Sequence, residues 1–262
     1  MYLSPAECHI GKTNTQIRKL QLKRIAMWSG PRNLSTAMMY SFGNRPDCAV
    51  WDEPFYAAYL AETGLDHPMR EEIIAAGPET AADAAALCAG DPPNGRSIFY
   101  QKHMTQHILP GFPRAWFDDV THVFLIRHPA RVLASYDRKR ENPGLDDIGF
   151  RQQAEIFAEV RGLGGPALVI DSADIRNSPE AMLRALCDGF DITFDPAMLS
   201  WPAGGHSGDG VWAAHWYDAV HRSTGFAGPE GDLPDLSRPL QAVCTQALPF
   251  YETLLEHAMR PV

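Results

Sequence analysis

The sequence predicts one α/β domain of three layers, a central parallel sheet flanked by helices, and three observations predict it. Apolar runs of strand length alternate with stretches of helical spacing along most of the chain, the pattern of a parallel sheet covered on both faces. The clearest runs end in turn-forming residues, as in Ser29-Gly30-Pro31 and Arg127-His128-Pro129, before the next helical stretch. The 262 residues, 45% of them hydrophobic and 21% charged, suit one such domain, and a chain of this size buries a core that needs neither disulfides nor metals.

Taken in order, residues 1–23 mix Glu7, His9, Lys12, Arg18, Lys19 and Lys23 with no apolar run, so an N-terminal leader is expected there and the domain proper over residues 24–262. Arg24 to Trp28 reads as a buried strand, and Leu34 to Phe42 as a helix stopped by Gly43-Asn44. A second strand is expected at Ala49–Trp51, followed by helices at Met69–Ala76 and at the alanine-rich Thr80–Cys88. Ser97–Gln101 reads as the third strand and Thr121–Ile126 as the fourth. Pro129 then opens a helix to about Arg140, because proline at the first helical position lacks only an N–H that has no partner there. A helix over Asp147–Gly162, a fifth strand at Ala167–Ile170, a helix capped by Ser178 with Pro179 at its first position, and a last helix over Pro239–Ala258 complete the pattern. Ser200–Gly231, rich in Gly, Trp and His, reads as a long loop with one helical turn, a length that points to function.

Composition narrows the function. A formal charge of −9 makes the surface repel polyanions, so no nucleic-acid partner is expected. The five cysteines (Cys8, Cys48, Cys88, Cys187, Cys244) are scattered with no Cys-x-x-Cys pair, which argues against zinc or a redox dithiol and for free thiols in a cytoplasmic protein. No stretch approaches the length of a membrane span, so no membrane partner is expected. His103 and His107 are spaced His-x-x-x-His, but Met104 stands where a zinc protease needs Glu, and no metal is expected.

Ligands of such sheets bind at the carboxyl ends of the strands. The first of these ends carries Ser29-Gly30-Pro31-Arg32-Asn33-Leu34-Ser35-Thr36, an anion cradle in the making. Gly30 allows a tight turn, the following helix aims N–H groups and the positive end of its dipole at the loop, Arg32 adds a cation, and Ser35 and Thr36 add hydroxyls. No Gly-Lys follows Gly30, so this is not a Walker A loop. An ordinary strand-to-helix turn with Ser/Thr capping has the same composition. The segment resembles the 5′-phosphosulfate loop of sulfotransferases that use 3′-phosphoadenosine 5′-phosphosulfate (PAPS). That resemblance implies a P-loop-like domain in which Arg32, Asn33, Ser35 and Thr36 hold the 5′-phosphosulfate. Arg32 replaces the lysine of the cytosolic enzymes, which favours charge stabilisation over proton donation to the leaving oxygen.

The fourth strand ends in Arg127-His128-Pro129, and Ser135 lies eight residues after the arginine. A guanidinium there grips phosphate bidentately while the hydroxyl takes a third oxygen. Alone, Arg127 reads equally as a surface ion pair and Ser135 as a helix-face hydroxyl. Together they resemble the 3′-phosphate motif of the same family, which separates PAPS from ATP. The likeness runs from Arg24 to about Trp216, with two departures. The basic Arg-Lys-Gly expected before Gly-Asp-Trp is missing from Gly204–Trp212, and Ala37 stands where some members stack a tryptophan on adenine.

Two residues compete for the general base. Glu53, in Asp52-Glu53-Pro54, follows the second strand and resembles the base region of bacterial and carbohydrate sulfotransferases; it needs a pKa raised by burial. Lys102-His103 resembles the lysine and histidine of the cytosolic enzymes, with one intervening residue fewer, and histidine starts nearer neutral pH. The balance leans to Glu53 as base, with Lys102 and His103 as transition-state or substrate contacts. The expectation is a PAPS-dependent transferase acting on a hydroxyl or amine of a small-molecule acceptor and releasing 3′,5′-ADP, with a homodimer left open. A P-loop kinase or NTP hydrolase, and a non-catalytic nucleotide-binding protein, are the alternatives.

Overall fold

Strand β1 (Lys23–Ser29) sends Ile25 and Met27 into one apolar core and Ala26 and Trp28 into another, as a side-chain period of two requires of a strand buried on both faces. The computed structural model describes residues 22–137 and 143–260. The leader expected over residues 1–23 therefore lies outside the described residues but for its last two positions, and Lys23 already belongs to β1.

After β1 come α1 (Ser35–Gly43), β2 (Cys48–Asp52), α2 (Tyr56–Thr63), α3 (Arg70–Ala76) and α4 (Ala81–Ala89). Next are β3 (Ile98–Met104), β4 (Thr121–Ile126), α5 (Pro129–Tyr136), α6 (Phe150–Gly162), β5 (Ala167–Asp171), α7 (Ser172–Asn177) and α8 (Pro179–Gly189). Two short helices, α9 (Ala213–Trp216) and α10 (Asp218–His221), precede α11 (Arg238–Leu255). The sheet is five-stranded and wholly parallel, in the order β2-β3-β1-β4-β5. Apolar residues of α1, α7 and α8 pack on one face and those of α4, α5, α6 and α11 on the other. This is the single three-layer α/β domain read from the sequence. Each fully buried large apolar side chain contributes about 1.5–3 kcal/mol.

Local differences from the sequence reading have physical causes. Strand β3 runs to Met104, three residues beyond the expected end, because its pairing with β1 continues that far, Trp28 lying opposite His103 and Ser29 opposite Met104. The helix expected from Asp147 starts at Phe150, since Gly149 has φ +71°, a left-handed conformation that ends the preceding turn. Ser178 precedes α8 without a side-chain hydrogen bond to it, so its expected capping role is not observed. The helix α2 was not foreseen, and the long segment after Ser200 holds two helices rather than one turn. The expected end of α5 near Arg140 falls on residues outside those described.

The topology fixes where a ligand fits. From β1 the chain passes to α1 on one face, and from the neighbouring β4 it passes to α5 on the other. Loops leaving in opposite directions open a crevice at the carboxyl ends of those two strands. Gln153 of α6 braces it from below, donating through Nε2 to Trp28 O at 3.1 Å and to Leu125 O at 2.9 Å.

Candidate functional site

The turn after β1 departs from ordinary backbone geometry. Arg32 and Leu34 have φ of 62° and 71° while Asn33 between them does not share that conformation. Alternating handedness of this kind turns successive N–H groups to one side, a concavity suited to an anion. Left-handed backbone costs a non-glycine residue roughly 1–2 kcal/mol, and such strain gathers at functional sites. Leu34 offers α1 no side-chain cap, and no acidic residue lies in its first turn, so the leading N–H groups of this helix keep a positive, uncapped end. Gly30 has no positive φ. A Cβ there would lie 2.2 Å from the carbonyl oxygen of Ile148, so close backbone approach, rather than turn freedom, requires the glycine.

The second arm comes from β4 and α5. Arg127 Nη1 donates to the carbonyl of Arg32 at 2.6 Å, and Arg32 Nε donates to Ser135 Oγ at 3.0 Å. The two motifs are thus joined directly, although 95 residues separate Arg32 from Arg127. A cavity of about 350 Å³ is lined by residues 31–37, Arg127 and Ser135 on one side and by Glu53, Lys102, His107 and Tyr217 on another. Arg127 also pairs with Glu230.

The floor of the cavity is a buried charged cluster. Lys102 Nζ donates to Asp52 Oδ1 at 2.8 Å, to Glu53 Oε1 at 2.5 Å and to Tyr217 OH at 2.6 Å, which engages all three N–H bonds of the ammonium. Tyr217 OH donates in turn to Asp52 Oδ2 at 2.7 Å and accepts from Trp212 Nε1 at 3.1 Å. Burial disfavours the lysine cation, yet the carboxylates of Asp52 and Glu53 outweigh it and hold the Lys102 pKa above its ordinary value. Burial raises the pKa of Glu53 in spite of the nearby ammonium. Glu53 itself has φ +43°, the third strained residue bordering the cavity. Its Oε2 lies 3.7 Å from Nδ1 of His107. That imidazole stacks between Tyr56 and Tyr59 at 4.4 and 4.7 Å and is kept neutral by burial.

The candidates named from the sequence sort into two groups. Pro31, Arg32, Asn33, Leu34, Ser35, Thr36, Glu53, Lys102, Arg127 and Ser135 line the cavity. Asn33 also ties the loop to the sheet, its Nδ2 donating to Leu125 O at 3.3 Å. Ser29, Gly30 and His103 are not among the lining residues. His103 turns to the opposite face of β3, stacks on Trp28 at 4.5 Å and meets Gln101 Oε1 at 3.2 Å. Burial pushes its pKa well below the ordinary histidine value. Neighbours on a strand face opposite ways, so one β3 that points Lys102 into the site must point His103 into the core.

Sequence reasoning missed Tyr56, His67 and His107 as lining residues; Tyr217, which also lines the cavity, lies in the long segment after Ser200 whose length pointed to function. No motif marks their place in the site: Tyr56 reaches the cavity from α2, His67 from the connection between α2 and α3, and His107 from the segment following β3. Among the described residues no group of three or more His, Cys, Asp and Glu side chains is arranged to hold a metal ion, and no helix is long and apolar enough to cross a membrane.

Residues 23–258 match the family model described as "Sulfotransferase domain". Two proteins of Arabidopsis thaliana, "Branched-chain-amino-acid aminotransferase-like protein 2" and "protein 1", are each 35% identical over 241 residues, 89% of this chain. The chain spans only 41% and 42% of their respective lengths. Two solved structures share the fold. The "Sulfotransferase Domain from the Curacin Biosynthetic Pathway" has a TM-score of 0.53 at 16% identity, over 86% of this chain and 97% of that one. A sulfotransferase from Alicyclobacillus acidocaldarius has a TM-score of 0.53 at 11% identity, over 90% and 97%. With nearly the whole described chain matched by one family model and its fold found in two sulfotransferase structures, the chain belongs to the sulfotransferase family.

Proposed function

We propose that this protein is a cytoplasmic enzyme that transfers a sulfuryl group from PAPS to a hydroxyl or amine of a small-molecule acceptor and releases 3′,5′-ADP. The observation that carries the reading is the junction of the two anion-binding arms, Arg127 on the Arg32 carbonyl and Arg32 on Ser135, at the wall of one cavity. The donor set fits a bisphosphorylated nucleotide. It offers an uncapped helix start and Arg32 for one anionic end, and Arg127 with Ser135 for the other.

When bound, PAPS supplies an activated sulfuryl group on its 5′-phosphate. Arg32 and the first N–H groups of α1 stabilise the charge that grows on the departing phosphate. Arg127 and Ser135 orient the nucleotide through its 3′-phosphate. Glu53 accepts the acceptor's proton at the cavity wall, and its buried carboxylate has the raised pKa that a general base requires. Lys102, with its three N–H bonds engaged, positions Glu53 and Asp52 and acts as a positioning residue. His103, off the cavity, takes no part. Tyr56, His67, His107 and Trp216 give the acceptor side of the cavity an aromatic, weakly polar wall, suited to an acceptor with an unsaturated or apolar body. The aminotransferase named in the plant relatives is not carried over, since the chain corresponds to less than half of each.

Thermal unfolding with added nucleotide tests the donor. In the wild type 3′,5′-ADP is expected to raise Tm well above the shift given by 5′-AMP at equal concentration, and Arg127→Ala to abolish the difference. Equal shifts by both nucleotides in the wild type refute PAPS as donor.

A further inference from the structure

Three guanidiniums from three elements converge on one carboxylate. Arg127 follows β4, Arg131 lies on α5 and Arg176 on α7, and all three pair with Glu230. Arg176 Nη1 donates to Glu230 Oε1 at 2.7 Å, Arg127 Nη2 donates to the same oxygen, and Arg131 Nε lies 3.4 Å from Oε2. The same arginines hold the chain around that residue. Arg176 Nε donates to Gly228 O at 2.8 Å, and Arg131 donates to the carbonyls of Gly231 and Asp232. Residues 228–232 therefore lie as a strap that continues from Gly225, Phe226 and Ala227, which line the cavity together with Arg127.

We propose that Arg127, Arg131 and Arg176 form one anion site for a terminal phosphate monoester of the nucleotide, and that Glu230 is its internal occupant, displaced when that phosphate binds. The inference rests on the donor reading above and deepens it by naming the residues that compete for the 3′-phosphate.

Charge argues for the exchange. Among the described residues Glu230 is the one acid in ion pairs with these arginines, so three positive charges face a single negative one. A phosphate monoester carries about −1.5 to −2 at neutral pH and three acceptor oxygens, and matches three guanidiniums better than a carboxylate does. The trio also satisfies Glu230 imperfectly, since its Oε2 is buried with no hydrogen-bond partner. Burial disfavours its charge, but hydrogen bonding and proximity to Arg127, Arg176 and Arg131 hold its pKa below the ordinary glutamate value. It is therefore ionised at neutral pH and competes as an anion. A ligand that binds only when the carboxylate has left has its affinity reduced by the fraction of molecules in which the site is open. The competition acts on the 3′-phosphate alone, because the 5′ end of the nucleotide lies on Arg32 and the start of α1.

Calorimetric titration of the full chain with 3′,5′-ADP and with 5′-AMP tests this. Glu230→Gln keeps the shape and removes the charge; it is expected to tighten 3′,5′-ADP by about tenfold and to leave 5′-AMP unchanged. Arg176→Gln is expected to weaken 3′,5′-ADP by about tenfold, because the phosphate loses more attraction than the carboxylate, again with 5′-AMP unchanged. Arg176→Gln decides alone should Glu230→Gln not fold. A folded variant of either kind that keeps the wild-type affinity for 3′,5′-ADP, or that alters both nucleotides equally, overturns the proposal while a wild-type preference for 3′,5′-ADP leaves the donor reading standing. A wild type without that preference overturns the donor reading itself.

Discussion

The ammonium of Lys102 and the carboxylate of Glu53 meet at 2.5 Å with both side chains buried, and their protonation states decide when the proposed base works. A glutamate whose pKa is raised by burial binds its proton more tightly in the folded chain than in the unfolded one. Its stabilising contribution is present at pH below the ordinary glutamate value and fades as pH rises through the folded pKa. Catalysis runs the other way, since the base must be ionised. The acid limb of kcat against pH is therefore expected to have its midpoint above the ordinary value of about 4.3, and Glu53→Gln to remove that limb and lower kcat by about 10²–10⁴ with 3′,5′-ADP affinity unchanged. An unaltered kcat in Glu53→Gln refutes the assignment. Lys102→Met removes the cation that opposes the burial effect, so the limb moves further up. The variant also leaves two carboxylates without their buried partner, a loss of about 3–5 kcal/mol readable from urea unfolding.

At the scale of elements, the β1–α1 connection works because α6 and the residues before it press against it. The Ile148 carbonyl occupies the space a Cβ on Gly30 would need, and a backbone group cannot swing aside as a side chain does. Gly30→Ala is expected to cost about 1–3 kcal/mol and to weaken nucleotide binding by shifting the Pro31–Thr36 turn; unchanged stability and affinity would contradict this account. Much of this architecture was legible in advance. The strand order emerges from topology, but the five apolar runs, the Gly30–Thr36 turn and the Arg127–Ser135 spacing are written in local sequence. What resisted reading depends on long-range geometry. Whether His103 or Lys102 faces the cavity turns on strand parity, and parity is invisible until β3 is known to extend through Met104. Glu230 carries no motif, and its meeting with Arg127, 103 residues away, depends on how the long segment after Ser200 folds back. Helix α2 escaped notice because Tyr56–Thr63 is short and begins without a side-chain cap, at a turn in which Tyr56 N donates to Glu53 O.

Over the whole molecule, the cavity joins parts of the chain that are distant in sequence. Its walls come from the turn after β1, from Glu53, Tyr56 and His67 between β2 and α3, from β3 and the residues after it, from the β4–α5 unit and from residues 216–227, and the strap at residues 228–232 is held by α5 and α7. A nucleotide that engages these parts binds the native state and finds no equivalent site in the unfolded chain, so its binding free energy adds to global stability. At a ligand concentration of one hundred times Kd the gain is about 2.7 kcal/mol. For a domain of this size each kcal/mol moves Tm by about 2–4 °C, so saturating 3′,5′-ADP is expected to raise Tm by about 5–11 °C as a single cooperative transition. The overall charge of −9 opposes the approach of an anionic nucleotide, whereas the local arginines attract it. Added salt screens both effects over a Debye length of about 8–10 Å. The contacts at Arg32, Arg127 and Arg176 are shorter than that length and partly buried, so the shift is expected to survive physiological ionic strength with only modest loss. Differential scanning calorimetry checks both points: a ligand that splits the transition in two would mean that the site is built on one part of the domain alone. A shift erased by physiological salt would place the nucleotide on the open surface instead of in the crevice.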